Sequence, residues 1–75
     1  MLVDELKAIR TKAGLTQTQL AEAAGITQGA VSQIERGATH ITPVNLEHVM
    51  SACKVSARQR SKLIMMWFDE AVEQG

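Results

Sequence analysis

A chain of 75 residues has room for one domain, whose small core would gain from packing against a second copy. Hydrophobic residues make up 45%, which excludes a disordered chain, and eight Lys plus Arg balance eight Asp plus Glu. That neutrality excludes a strongly basic polyanion binder and predicts few phosphate contacts per subunit if the partner is DNA.

The first helix is expected over 3–13, with Leu6, Ile9 and Ala13 spaced to face inward. Asp4 and Glu5 occupy its first turn and Lys12 its end, each where the helix dipole favours that sign, and Gly14 stops it. Two short helices follow, over 17–24 and 28–36, preceded by Thr16 and Thr27 as caps and joined by a turn at Gly25. Glycine suits that turn because a left-handed backbone costs it little. Leu20, Ala21, Ala24, Ile26, Val31 and Ile34 are the apolar members of this pair. Gln28, Gly29, Ser32, Gln33 and Arg36 remain on the outer face of the second helix, carrying groups able to read bases. The pattern is that of a helix-turn-helix, motif about 17–36, whose second helix enters a DNA major groove. A glutamine presents a donor and an acceptor together, matching adenine N6 and N7, so Gln28 is the first candidate for base readout, followed by Gln33 and Ser32.

Gly37 ends the second helix of the motif, and 38–42 forms a loop in which only Thr39 and His40 could donate to phosphate. His40 could equally be a plain surface residue. Arg36, and Lys12 after it, complete the cationic candidates. Thr42-Pro43 opens a fourth helix, Thr as cap and Pro where its missing N–H is harmless. Leu46, Val49, Met50 and Cys53 then cover the back of the motif, Cys53 as a core thiol. Single Cys53 allows no internal disulfide, and no His/Cys cluster offers a metal site. His48 reads as a surface side chain.

Ser56 caps the last helix, expected over 57–73. Leu63, Ile64, Trp67, Phe68 and Ala71 share one arc, and Met65 and Val72 widen it past half the circumference. A helix that only closes a small core needs a narrower stripe. The surplus predicts a homodimer interface built from Met65, Met66, Trp67, Phe68 and Val72. The same helix is basic at its start (Arg58, Arg60, Lys62) and acidic at its end (Asp69, Glu70, Glu73), against the dipole. Two copies crossing antiparallel near Met65 and Met66 would bring each basic end to an acidic one.

The segments GLTQ (14–17), LAEAAGIT (20–27) and VSQIERG (31–37), with a helix after Pro43, resemble the helix-turn-helix of the phage lambda-type repressor and Cro family. Restriction–modification controller proteins and antitoxins are among its relatives. The resemblance covers roughly 6–55 and implies an all-α, five-helix lambda-repressor-like domain over 1–75. It implies an ion pair between Arg10 and Glu35, the other reading being two solvated charges worth almost nothing. It also implies that Gln17 contacts a phosphate and braces the side chain at Gln28. Gly29 departs from the larger polar residue often seen at its place in the phage repressors, which leaves the operator sequence open.

The function expected is a sequence-specific transcriptional regulator, repressor or controller, binding a near-palindromic DNA operator as a homodimer. The alternative is an antitoxin-like module whose last helix holds a partner protein. No catalytic constellation that so short a chain could fold into a pocket is present, and no cofactor is expected. Without a signal peptide or a membrane-length apolar run, a cytoplasmic protein of bacterial or phage origin is the expectation.

Overall fold

The computed structural model describes residues 1–74. Five helices follow one another: α1 (Leu2–Lys12), α2 (Gln17–Ala24), α3 (Gln28–Glu35), α4 (Pro43–Ala52) and α5 (Ala57–Gln74). Helix α2 packs on α3 and α4, while α1 packs on α3 and α5. The all-α, five-helix expectation holds. Among the described residues no helix is long and apolar enough to cross a membrane.

Local chemistry explains where most helices start. The Thr16 hydroxyl accepts the Gln19 N–H (3.1 Å) and the Gln19 carboxamide accepts the Thr16 N–H (2.9 Å), a reciprocal capping box. Thr27, Thr42 and Ser56 accept from Ala30, Asn45 and Gln59 at 3.0, 3.2 and 3.2 Å. Each cap satisfies one of the N–H groups a helix start leaves without an internal partner. Gly25 ends α2 at φ +72°, and the Ile26 N–H closes the turn onto the Ala21 carbonyl at 3.0 Å.

Every helix contributes to one apolar core, whose buried members among the described residues are all hydrophobic. Leu2, Leu6 and Ile9 come from α1, Leu20, Ala21 and Ala24 from α2, Val31 and Ile34 from α3, Leu46, Val49 and Met50 from α4. Among the described residues of α5 only Leu63 is fully enclosed, at 1% exposure. Ile41, the loop residue before α4, is also enclosed. Sequence periodicity passes over Ile41 because it belongs to no helix.

Several expectations are corrected by this packing. Ala13 is exposed: α1 stops at Lys12, so Ala13 falls past the inward stripe. Leu2, outside the expected helix, is inside it and buried, its N–H donating to the Glu70 carboxylate at 2.6 Å. Met66 and Trp67, assigned to a subunit interface, are half-buried against their own core. The Trp67 indole N–H donates to the Ile41 carbonyl at 2.5 Å, which ties α5 to the loop after α3. Arg60 is paired with Glu47 of α4, so its charge is engaged within the chain. Cys53 is half-buried beside the core as the residue that caps α4, and burial pushes its thiol pKa up. His48 is exposed.

Lys54 turns the chain between α4 and α5 at φ +54°, the one described non-glycine residue at positive φ. That conformation costs an L-residue about 1–2 kcal/mol, and glycine's greater unfolded freedom offsets roughly 0.5–1 kcal/mol. Lys54→Gly should therefore stabilise the chain by ~0.5–1 kcal/mol, read as a higher urea midpoint at unchanged slope.

Candidate nucleic-acid interface

The first turns of α2 and α3 lie side by side because Gly25 and half-buried Ile26 hold the turn between them. Gln17 and Gln28, the first residues of the two helices, meet there. The Gln28 Nε2–H donates to Gln17 Oε1 at 2.8 Å. Gln17 passes the order inward: its Nε2–H donates to Glu35 Oε1 at 3.2 Å. Glu35 in turn accepts a two-pronged contact from Arg10, Nε to Oε2 at 2.7 Å and Nη2 to Oε1 at 3.0 Å. The third arm of Arg10, Nη1, donates to the Leu15 carbonyl at 2.8 Å. A single chain of hydrogen bonds thus runs from the segment before α2, through α1 and the end of α3, to the amide at the head of α3.

The inner half of this chain is dry and the outer half wet. The side chains of Arg10 and Glu35 are 13% and 5% exposed, whereas Gln28 is open to solvent. The Arg10 pKa is raised, first by its hydrogen bond to Glu35 and against the effect of burial. For Glu35, burial pushes the carboxyl pKa up, but hydrogen bonds from Arg10 and Gln17 and the Arg10 charge outweigh it, leaving it below the ordinary carboxylate range. Both groups are charged across the neutral range. A two-pronged guanidinium–carboxylate contact also fixes orientation, which a lysine in place of Arg10 would not.

Along the outer face of α3, Gln33 and Arg36 are exposed and Ser32 is half-buried. None of these three makes a side-chain hydrogen bond among the described residues, nor does exposed Thr39 in the following loop, so their polar atoms are free for an external partner. Since Arg10 neutralises Glu35, the cation at the end of α3 is Arg36, the residue that caps it. A Cβ at Gly29 would meet only the Thr27 hydroxyl, 4.0 Å away. Neither packing nor backbone angle requires a glycine there, and its place beside Gln28 leaves a gap on the outer face.

Two residues expected at the phosphate contacts have neighbours outside α2 and α3. The His40 ring lies 5.0 Å from that of Trp67, tilted by 35°, and its Nε2 is shut away from solvent without a hydrogen-bond partner among the described residues. As placed, that nitrogen cannot reach a phosphate. Lys12 is exposed but lines a hollow with Ile9, Cys53, Lys54 and Ser56, to which no residue of α2 or α3 contributes. The Gln17–Glu35 link escaped sequence reasoning. Its only trace was that Leu15 and Thr16 bring Gln17 to the first turn of a helix packed beside α3.

What this surface offers chemically is an ordered carboxamide, two further polar side chains and one guanidinium, mounted on helices whose first N–H groups have no partner within the helix. Donors of that kind suit base edges and phosphate oxygens, the latter with an added pull from the helix dipole. Residues 6–59, more than half of the chain, match the family model described as helix-turn-helix. No curated protein matches the chain.

Proposed function

Given that the chain belongs to the Cro/C1-type helix-turn-helix family of DNA-binding regulators, we propose that it is a transcriptional repressor or controller acting as a homodimer on a near-palindromic operator. The observation that carries this reading is the exposed Gln28 carboxamide, held in position by Gln17 at 2.8 Å and ultimately by the Arg10–Glu35 pair. A side chain already ordered before binding loses less entropy when it docks, and an amide so oriented can discriminate adenine from other bases. In this reading Gln28, Ser32 and Gln33 face base edges, while Gln17, Arg36 and Thr39 face the backbone. A cytoplasmic place of action follows from it.

Two copies related by a twofold axis read two half-sites about 34 Å apart, one turn of duplex. Selection of bound sequences from a random duplex pool should accordingly return inverted half-sites with centres about 10 base pairs apart. A pool with no enriched sequence would remove the proposal. The neutral total charge predicts a shallow salt dependence, and Arg36→Ala should reduce the slope of log K against log salt by about 1 while weakening all sequences alike. Gel shifts at a series of salt concentrations check this.

A second reading, a module whose last helix holds a different protein, draws on the apolar side chains α5 leaves in water, Phe68 (57% exposed) and Val72 (78%) among them. Purification from the native host separates the two readings: the regulator elutes alone and shifts DNA, the module with a stoichiometric partner.

A further inference from the structure

On α3 the position turned most directly away from the core carries no side chain. Val31 and Ile34, both buried, mark the inward side of this helix. At about 100° per residue, Gly29 lies roughly 170° from their mean direction. Gln28 and Ser32 fall on one flank of it and Gln33 on the other. The gap at Gly29 is exposed and stands in the middle of the face assigned to base edges, not at its rim.

The fold itself has no use for a glycine there. Among the described residues a Cβ at this place would meet only the Thr27 hydroxyl, at the ordinary contact distance of 4.0 Å. Gly14, Gly25 and Gly37 hold positive φ angles, and Gly29 does not. Within a helix, glycine is destabilising relative to alanine. A cost that no internal contact offsets points to a contact made outside the molecule.

Chemistry narrows what fills the gap. Without a Cβ, the backbone of α3 can come closer to a groove floor by about the depth of one methyl group. The surface it then offers is apolar, because helix N–H groups run along the axis and leave only Cα hydrogens on the side. Base edges in the major groove display acceptors, donors and one apolar group, the 5-methyl of thymine. A polar edge pressed against bare Cα would lose its water and gain no partner. A methyl group has no hydrogen bond to lose.

We propose that Gly29 is a specificity-determining residue, whose bare Cα seats the 5-methyl group of a thymine in the base pair next to the one Gln28 reads. This rests on the DNA-binding reading above and adds a second base to it, chosen by shape where Gln28 chooses by hydrogen bonds.

Gel shifts with the selected operator test it by moving a methyl group between protein and DNA. Gly29→Ala adds a methyl at the gap, and uracil in place of thymine removes one from the groove without altering base pairing. For the unmodified chain, uracil at one thymine of each half-site, beside the pair located with Gln28→Ala, should weaken binding by about fourfold per half-site. Gly29→Ala should bind the thymine operator roughly tenfold or more weakly. The same uracil should restore most of that loss, so the two chains have opposite preferences. Without DNA, Gly29→Ala should unfold at a higher urea midpoint, which separates its weaker binding from a folding defect.

A lower midpoint would show that the fold needs this glycine and would remove the premise. Undiminished binding by Gly29→Ala, a loss that uracil relieves at no position, or an unmodified chain indifferent to uracil throughout the half-site would each overturn the assignment. Operator binding by the unmodified chain would leave the regulator reading standing in those cases. If the unmodified chain enriches no sequence, that reading falls and the assignment with it.

Discussion

Glu35→Ala is expected to be the most damaging single substitution, costing about 3–5 kcal/mol of folding stability. The reason is the charge it leaves behind. Arg10 is 13% exposed and keeps only the Leu15 carbonyl as a partner once Glu35 is gone. A chain of this size has roughly 4–11 kcal/mol of stability in total, so the loss removes a large part of it. Thermal melts should show a fall on the order of 15–30 °C. Replacing both partners, Arg10→Met with Glu35→Leu, should cost less than Glu35→Ala, because no charge is stranded. A double replacement as harmful as the two single ones added together would show that the pair acts as two independent solvated charges.

Acid should reproduce part of this loss in the unmodified protein. The folded Glu35 carboxyl titrates below its ordinary range, so its stabilisation is complete above that range and is lost as pH falls through the lowered value. Arg10, with its pKa raised, contributes at all pH values below its ordinary one and sets no limit near neutrality. Urea unfolding at about pH 3 and about pH 6 should therefore differ more for the unmodified chain than for Glu35→Ala.

The caps and the turn were legible in the sequence because they are decided within a few residues. Thr16, Thr27, Thr42 and Ser56 each accept an N–H three positions on, so a hydroxyl before an apolar run suffices to place the helix start. The fate of α5's apolar side chains was not decided locally. Trp67 and Phe68 are neighbours in sequence, and their rings meet edge-on at 5.2 Å, yet one reaches the Ile41 carbonyl and the other stays in water. Which of two adjacent positions on a broadly apolar helix turns inward depends on where α4 and the 38–42 loop lie, and no periodicity carries that. His40 shows the same limit: its place against Trp67 is set by the neighbour, and its own sequence context reads as an exposed loop. At the interface, the residue types at 10, 17, 28 and 35 were legible, but their union into one chain of hydrogen bonds needed the relative positions of α1, α2 and α3.

That union makes a second strong expectation, in the binding of DNA. Gln28→Ala should weaken binding to a selected operator by ~1–3 kcal/mol and erase preference at one base pair of each half-site. Gln17→Ala should erase preference at that same base pair, although under this assignment Gln17 touches phosphate and no base. Its role there is positioning: the Gln17 carbonyl oxygen holds the Gln28 amide at 2.8 Å, and its own amide is held by Glu35 at 3.2 Å. Released from Gln17, the Gln28 side chain can turn to other rotamers, and an amide free to turn no longer favours one donor–acceptor pattern. Two residues acting through one contact should be non-additive, so Gln17→Ala with Gln28→Ala should discriminate no worse at that pair than either alone. Gel shifts with the operator and its single-base variants, across both single variants and the double, measure the cycle. Additive losses, or a Gln17→Ala effect equal for all base pairs, would reduce Gln17 to a phosphate contact and leave Gln28 reading its base unaided.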